Sequence, residues 1–373
     1  MECSRIPLIS VVIPAYNVSK YIAECLDSVL LQPFCDIEVI CIDDHSSDST
    51  PALLQEYAEK DSRVRVVTFD ENQGLSMVRN KGIELALGKY ILFLDSDDML
   101  AEGSLRLLSD TMQKHELDLL FFDRKKVCDI PGEVVQQPPA REKTANKVMS
   151  GSELMDYQIG EKEYNTSAVF NIVRTDLLRN AGLRFFPGIL HEDELYTPLV
   201  TVQAQRAMYI NEKIYVHRVR GNSIMTTAVS HRNVKGYFVV YTELMAAFLA
   251  EGCIHHGLEV RAKLVLDSAA RKYTQLSEEE KARTVDSLSQ PYRYLFEKFI
   301  TQKTTLEKRN QVQLEKIKSL ELRNEALTGS VSYRIGRAIT YLPRKAVGMF
   351  RSYRRRGLRA SVRDAFRKVF SKK

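Results

Sequence analysis

Tyr90-Ile91-Leu92-Phe93-Leu94-Asp95-Ser96-Asp97-Asp98 is an apolar run that ends abruptly in acid. Tyr90 to Leu94 is short enough for a strand and apolar enough to lie inside a sheet. Three carboxylates then arrive within four positions. A buried strand that ends in acids places charge at the carboxyl edge of a sheet, where open α/β folds bind ligands. Asp95 and Asp97, two apart in an extended segment, would put both carboxylates on one side. At about 4 Å they would repel by roughly 4 kcal/mol at an effective dielectric of ~20. A positive partner is therefore expected, and a divalent cation is the economical candidate. The competing assignment makes these acids the cap and first turn of the helix after Leu100, stabilised by its dipole.

The chain before this stretch repeats the same pattern. Ile9 to Ile13 reads as a first strand, stopped by Pro14, and Ser19 can cap a helix carrying Ile22, Cys25, Leu26, Val29 and Leu30 at helical spacing. Ile37 to Ile42 is a second strand that also ends in acids, Asp43-Asp44, and Asp48-Ser49-Thr50-Pro51 is a helix start. Val64 to Phe69, a helix over 75–87 and Tyr90 to Leu94 follow, then a helix near 105–112 and a strand-like run from Leu117 to Phe122. Strands alternating with helices over short connections predict an α/β protein with a mostly parallel sheet covered on both faces. The polar residues 131–150 read as a connecting loop, 213–219 as a strand, and 234–300 as helical, with Ser277 and Glu280 as a capping box.

Composition bounds the answer without choosing it. The chain has 373 residues, 44% hydrophobic and 27% charged, as an ordinary globular protein of two domains or one extended domain would have. No run approaches the ~18–20 apolar residues of a membrane span. Pro7 and Ser10 break the only hydrophobic run near the N-terminus, so no signal region is expected. The six cysteines show no paired metal spacing, and Cys25, Cys35 and Cys41 are expected as buried thiols. Together these features predict a cytoplasmic protein.

Three further polar groups have both a chemical and a structural reading. Asp44 could accept a hydrogen bond from a base or ribose edge, although Asp-Asp-His-Ser-Ser-Asp is also ordinary turn chemistry. Arg79 could pair with the acidic edge or with phosphate oxygens, although a solvated arginine is commoner. In His191-Glu192-Asp193-Glu194, one acid at a helix start could be a general base, and spacing alone leaves open which.

Taken in order, several motifs resemble a family 2 glycosyltransferase of bacterial polysaccharide type. They are Ile-Ser-Val-Val-Ile-Pro-Ala-Tyr-Asn at 9–17, Ile-Asp-Asp-His-Ser-Ser-Asp-Ser-Thr at 42–50, residues 72–98, His191–Glu194, and Tyr215-Val216-His217-Arg218 through Ser223-Ile224. The resemblance covers roughly residues 7–225. It implies a GT-A fold over 1–225, with a nucleotide-sugar half at 1–125 and an acceptor half at 126–225. A helical extension at 226–302 would follow, then a charged helix at 303–330 and a basic tail at 331–373. It implies inverting transfer from a nucleotide-diphosphate sugar, of hexosyl or N-acetylhexosaminyl type, to a glycan or lipid-linked acceptor.

Carried over by position, Pro14, Ala15 and Tyr16 would line the nucleotide pocket, Asp44 would meet the base, and Arg79 would lie beside the nucleotide. Asp95, Ser96 and Asp97 form the Asp-x-Asp motif. Asp97 is the expected ligand of Mg2+ or Mn2+, with Asp95 and Ser96 on the donor side, and Asp98 is left out. Asp193 matches the catalytic base, and His217 a further metal or phosphate contact. His191 departs from the apolar or aromatic residue expected before Glu-Asp. Two rival functions use some of the same features: a nucleotidyltransferase of related fold, and an inactive nucleotide-binding protein recruited to membranes. The Glu-Asp pair and the lack of a glycine-rich, lysine-bearing loop near Pro14 argue against the first. Retention of Asp95, Asp97 and Asp193 together argues against the second.

The overall charge of +6 hides an asymmetry. Residues 331–373 hold 14 basic residues against the single acid Asp364, about +13, which leaves about −7 on the rest. Val347, Phe350, Leu358, Val362, Phe366 and Phe370 recur among these basic residues at mostly helical intervals, as in an amphipathic membrane-surface segment. The expected partner is an anionic inner membrane face rather than nucleic acid, because the aromatic residues share a face. In the charged helix before the tail, Leu306, Ile317, Leu320 and Leu327 share a heptad seam with Asn310, Gln313 and Asn324. A short coiled coil, and with it a homo-oligomer, and a solvated helix both stay open. Basic residues near an anionic leaflet contribute ~1 kcal/mol each, so half of those in the tail would approach micromolar affinity. The full chain should co-sediment with anionic liposomes and a chain lacking residues 331–373 should not; equal binding by both would refute the membrane role.

Overall fold

All seven residues of β1, Ile9–Ala15, are buried, and this strand lies inside the sheet between β2 (Ile37–Asp43) and β4 (Tyr90–Phe93), parallel to both. Pro14, expected to stop the strand, continues it. Val12, two residues earlier, bonds toward β4 by accepting from Leu94 N, so Pro14 faces the same side where β4 has already ended. No ladder bond is lost to its missing N–H. The computed structural model describes residues 6–129, 135–139, 141–219, 229–250, 255–301, 315–316 and 318–319.

β3 (Val64–Thr68) completes the parallel edge, and α1 (Ile22–Leu30), α2 (Thr50–Lys60) and α3 (Leu75–Leu85) make the crossovers. α1 buries Ile22, Cys25, Leu26 and Val29, the stripe its spacing predicts. Its cap is different: the helix starts after Tyr21 with no side-chain cap, and Ser19 N donates to Asp48 Oδ2 at 3.1 Å. Among the thiols, Cys25 and Cys41 are buried as expected, but Cys35, in the loop before β2, is exposed.

Beyond β4 the sheet is mixed. Its order is β3-β2-β1-β4-β7-β6-β8-β5, where β5 is Met99–Leu100, β6 Leu119–Cys128, β7 Asn171–Arg174 and β8 Ala207–Val219. β7 is antiparallel to both β4 and β6, whereas β6 and β8 are parallel. β6 runs through the point between 125 and 126 at which the sequence expectation divides the domain. β8 is longer than the strand expected from 213, because Ala207–Ile210 is buried beside β6 as well.

The remaining helices are α4 (Ser104–Lys114), α5 (Gly151–Gly160), α6 (Thr175–Asn180), α7 (Asp193–Gln203), α8 (His231–Ala250), α9 (His256–Thr274) and α10 (Glu278–Asp286). A full capping box occurs at Ser150 and Glu153 of α5. The one expected at Ser277 is half formed: Ser277 accepts from Glu280 N, but the Glu280 carboxylate binds His231.

Met1–Glu297 is one compact unit and Lys298–Lys373 a second. Nearly all of 303–330 and the whole of 331–373, with the coiled-coil and basic-tail expectations, lie outside the described residues. In the first unit, α7 packs against α5 and α8, and a second apolar cluster of Met155, Leu195, Val240, Leu244 and Leu258 joins these helices to α9. α8 approaches the chain before α7 so closely that a Cβ at Gly236 would lie 2.2 Å from the Leu190 carbonyl oxygen. Gly236→Ala should therefore destabilise the protein by about 1–3 kcal/mol, the usual penalty of overpacking. Chemical denaturation measures this directly, and an unchanged midpoint would show that α8 can withdraw freely.

Candidate active site

The carboxyl ends of β1, β2 and β4 lie together because the three strands are parallel. Tyr16 is 51% exposed just beyond β1, while Pro14 and Ala15 lie in the strand itself. Asp44, beyond β2, is buried, and its two carboxylate oxygens accept from Gln73 N at 2.7 Å and Gly74 N at 2.9 Å. Gly74 has φ +84°, a left-handed conformation that glycine adopts without strain, and α3 starts from it. Asp44 thus pins the loop leading into α3, which is the turn chemistry weighed in the sequence. Each oxygen keeps a second lone pair for a ligand.

α3 then delivers Arg79. Its position on the inner face beside Val78, Gly82 and Ile83 leaves the side chain only 2% exposed. One Nη donates to Asp95 Oδ1 at 2.9 Å; the other donates to Glu192 Oε1 at 2.8 Å and Asp193 Oδ1 at 3.4 Å. The guanidinium carbon lies 5.2 Å from the Phe185 ring centre, and Phe185 stacks on Tyr196 of α7 at 3.8 Å. Burial works against the charge of Arg79, but Asp95, Asp193 and Glu192 raise its pKa further. The solvated arginine that priors favour is not what forms here.

The acids carry the matching perturbations. Glu192 is pushed up to about 8, first by burial and then by Asp193, with Arg79 opposing. Burial raises Asp95 too, against the pull of Arg79. Asp193, at the first turn of α7, is partly exposed, and its Oδ2 accepts from Ala168 N at 3.4 Å. With Glu192 held toward its neutral form, Asp193 is the partly exposed carboxyl of the pair, anchored by a buried arginine where a ligand hydroxyl could meet it. Sequence spacing could not separate Glu192 from Asp193. The structure gives Glu192 to the interior and Asp193 to the solvent side.

Asp98 turns inward. Tyr215 OH donates to it at 2.7 Å and Arg218 N at 2.7 Å, and burial pushes its pKa up to about 8. The Tyr215 hydroxyl oxygen also accepts from Asp95 N at 3.2 Å, and Arg218 Nε donates to the Asp97 carbonyl at 3.0 Å. Tyr215 and Arg218 therefore shape the acidic turn, a role that the sequence pattern did not single out. Ser96 is buried within that turn. Asp97 stays partly exposed.

His217 sits near Asp97 with a buried Nδ1 that has no hydrogen-bond partner. Among the described residues, no three His, Cys, Asp or Glu side chains are grouped as a metal cage. A site for Mg2+ or Mn2+ needs less, because such ions take one or two carboxylates and complete their shell with substrate phosphates and water. Asp97 and the orphaned His217 nitrogen fit that requirement.

Loop geometry before Asp193 is equally specific. His191 has φ +67° and stacks on Tyr237 of α8 with ring centres 4.1 Å apart, and its Nε2 lies 3.2 Å from Asn233 Nδ2. Arg261 of α9 pairs with Glu194.

A model of "Glycosyl transferase family 2" matches residues 10–181. Glycosyltransferase GlyG of Streptococcus pneumoniae is 28% identical over 257 residues, 68% of this chain and 83% of that protein. The putative glycosyltransferase EpsH of Bacillus subtilis is 30% identical over 262 residues, 66% of this chain and 70% of that protein. S. aureus TarS 1–349, solved in complex with UDP-GlcNAc, superposes with a TM-score of 0.58 at 23% identity, covering 75% of this chain and 79% of that one, a likeness of fold.

Because the pKa of Glu192 is raised in the folded protein, its contribution to stability is full below its ordinary range near 4.5 and lost as pH rises through about 8. Denaturation midpoints of the wild type should therefore fall more between about pH 5 and pH 9 than those of Glu192→Gln, whose amide does not titrate. Parallel curves for the two proteins would mean that Glu192 is already ionised at the acid end.

Proposed function

This chain is a glycosyltransferase of family 2 with the GT-A fold, and we propose that it transfers a hexosyl or N-acetylhexosaminyl group with inversion. The donor is a nucleotide-diphosphate sugar, and the acceptor is a hydroxyl of a glycan or lipid-linked saccharide, in cell-surface polysaccharide assembly. The observation that supports this reading most is Arg79, which ties the acidic edge at Asp95 to the acids at the start of α7.

The donor lies along the carboxyl ends of β1, β2 and β4, where Pro14, Ala15 and Tyr16, the Asp44-pinned loop, Arg79, Asp95 and Ser96 surround the nucleotide. Asp97, with His217 beside it, would hold Mg2+ or Mn2+, which when bound neutralises charge on the departing diphosphate. Asp193 accepts the proton of the acceptor hydroxyl as that oxygen attacks the anomeric carbon from the face opposite the leaving group. Inversion follows from that single displacement. Arg79 orients Asp193, and Glu192 in its neutral form keeps a second negative charge away from the base. The basic residues of 331–373 would hold the enzyme to the inner face of the membrane, next to a lipid-linked acceptor.

Asp193→Asn should lower transfer by about 10²–10⁴-fold, the usual contribution of a general base, while donor binding survives. Loss of donor binding in that variant would make Asp193 a structural acid. Asp97→Ala should lose the metal-dependent part of nucleotide-diphosphate binding in calorimetric titrations with manganese, and an unchanged titration would refute its role as ligand.

A further inference from the structure

The turn that leads into Asp193 rests on one face of α8. Asn233, Gly236 and Tyr237 are three and four residues apart, the spacing that brings side chains to one side of a helix. Gly236 lies against Leu190, whose carbonyl oxygen would be 2.2 Å from a Cβ there. Tyr237 stacks on the His191 ring with centres 4.1 Å apart and planes 17° from parallel. Asn233 Oδ1 accepts from Ser230 N at 3.0 Å, which turns its Nδ2 toward His191 Nε2 at 3.2 Å. An amide nitrogen only donates, so Nε2 accepts and the neutral ring carries its proton on Nδ1. Burial, and after it the charge of Lys272, lowers the His191 pKa to about 4, in keeping with a neutral ring.

His191 has φ +67°, a left-handed backbone that a residue other than glycine keeps only where its surroundings fix it. The backbone fixed there opens α7. His191 O accepts from Glu194 N at 3.1 Å, and Glu192 O accepts from Tyr196 N at 2.9 Å. Asp193 lies inside that turn. We propose that His191, seated on Tyr237 and Asn233, is a positioning residue for Asp193, which makes the helical extension part of the catalytic apparatus. This rests on the assignment of Asp193 as the base. Arg79 and Ala168 N hold the two carboxylate oxygens of Asp193, and the seat on α8 fixes the backbone from which that carboxylate projects. Misplacing a reacting group by about 1 Å can cost ~10²-fold in rate.

Turnover is read as nucleoside diphosphate released by the full chain from whichever of a panel of UDP- and GDP-sugars it uses. Calorimetric binding of UDP or GDP with Mn2+ reports on the donor site. His191→Ala and Tyr237→Ala should each lower kcat by ~10-fold or more while the diphosphate binds as it does to the wild type. Tyr237→Phe, which keeps the ring, should have a near wild-type kcat. In an Asp193→Asn background, His191→Ala should cost nothing further, because the group it positions is gone. The proposal is overturned if the double variant loses as much again, or if the loss falls on diphosphate binding rather than on kcat. It is also overturned if Tyr237→Phe is as slow as Tyr237→Ala. Should the alanine variants fail to fold, His191→Phe carries the test, since it keeps the stack but has no nitrogen for Asn233. Its kcat should fall by about 3-fold or more, the scale of one lost hydrogen bond, and a wild-type value would overturn the proposal. Full turnover by Asp193→Asn alone would instead remove the base assignment, and this proposal with it.

Discussion

Arg79 is buried among Asp95, Glu192 and Asp193, and the site is arranged around the balance of those charges. A guanidinium taken out of water needs carboxylates, and removing the partners of a buried ion typically costs about 3–5 kcal/mol. Three ionised acids around one arginine would leave an excess of two negative charges in a partly dry site. The rise of Glu192 to about 8 removes one of them near neutral pH. The remaining two carboxylates belong to different elements: Asp95 to the acidic turn after β4, Asp193 to the first turn of α7. One side chain therefore sets the spacing between the acidic turn at Asp95 and the acids at the start of α7.

The parallel half of the sheet was legible because it is covered on both faces. Such strands read as continuous apolar runs, and Ile9–Ile13, Ile37–Ile42 and Tyr90–Leu94 are found as strands nearly to the residue. The mixed half was less so. β7 is four residues long and paired on both sides, too short for its own pattern to declare it. Ser19 looked like a cap, but its backbone is claimed by Asp48, thirty residues downstream in round numbers, which no local pattern can show. Cys35 sits among apolar neighbours in the sequence and is exposed nonetheless, because it lies in the loop before β2.

At the site, residue types were legible and their partners were not. Asp44, Asp95, Asp97 and Asp193 stand out as acids at strand or helix ends, and the structure gathers Asp95 and Asp193 on Arg79. That Arg79 is buried follows from contacts far along the chain, Phe185 and the acids at the start of α7, which no local pattern shows. Asp98 looks equivalent to its neighbours in the sequence, yet Tyr215 and Arg218, far along the chain, turn it into the fold. Contacts made by β8 decide which acid of the turn is buried. The match of the chain to family 2 over residues 10–181 ends before α7, so the segment carrying Asp193 lies beyond it.

Arg79 and Glu192 are 113 residues apart in sequence. A nascent chain emerges from its N-terminus, and domains tend to fold in that order. The first four strands and α3 can therefore be complete while α7 is still unmade. In that interval, docking α3 would bury Arg79 with Asp95 as its sole acidic partner. Full charge compensation for Arg79 therefore waits on the segment that carries Glu192 and Asp193, a contact of high sequence separation that joins α3 to the start of α7.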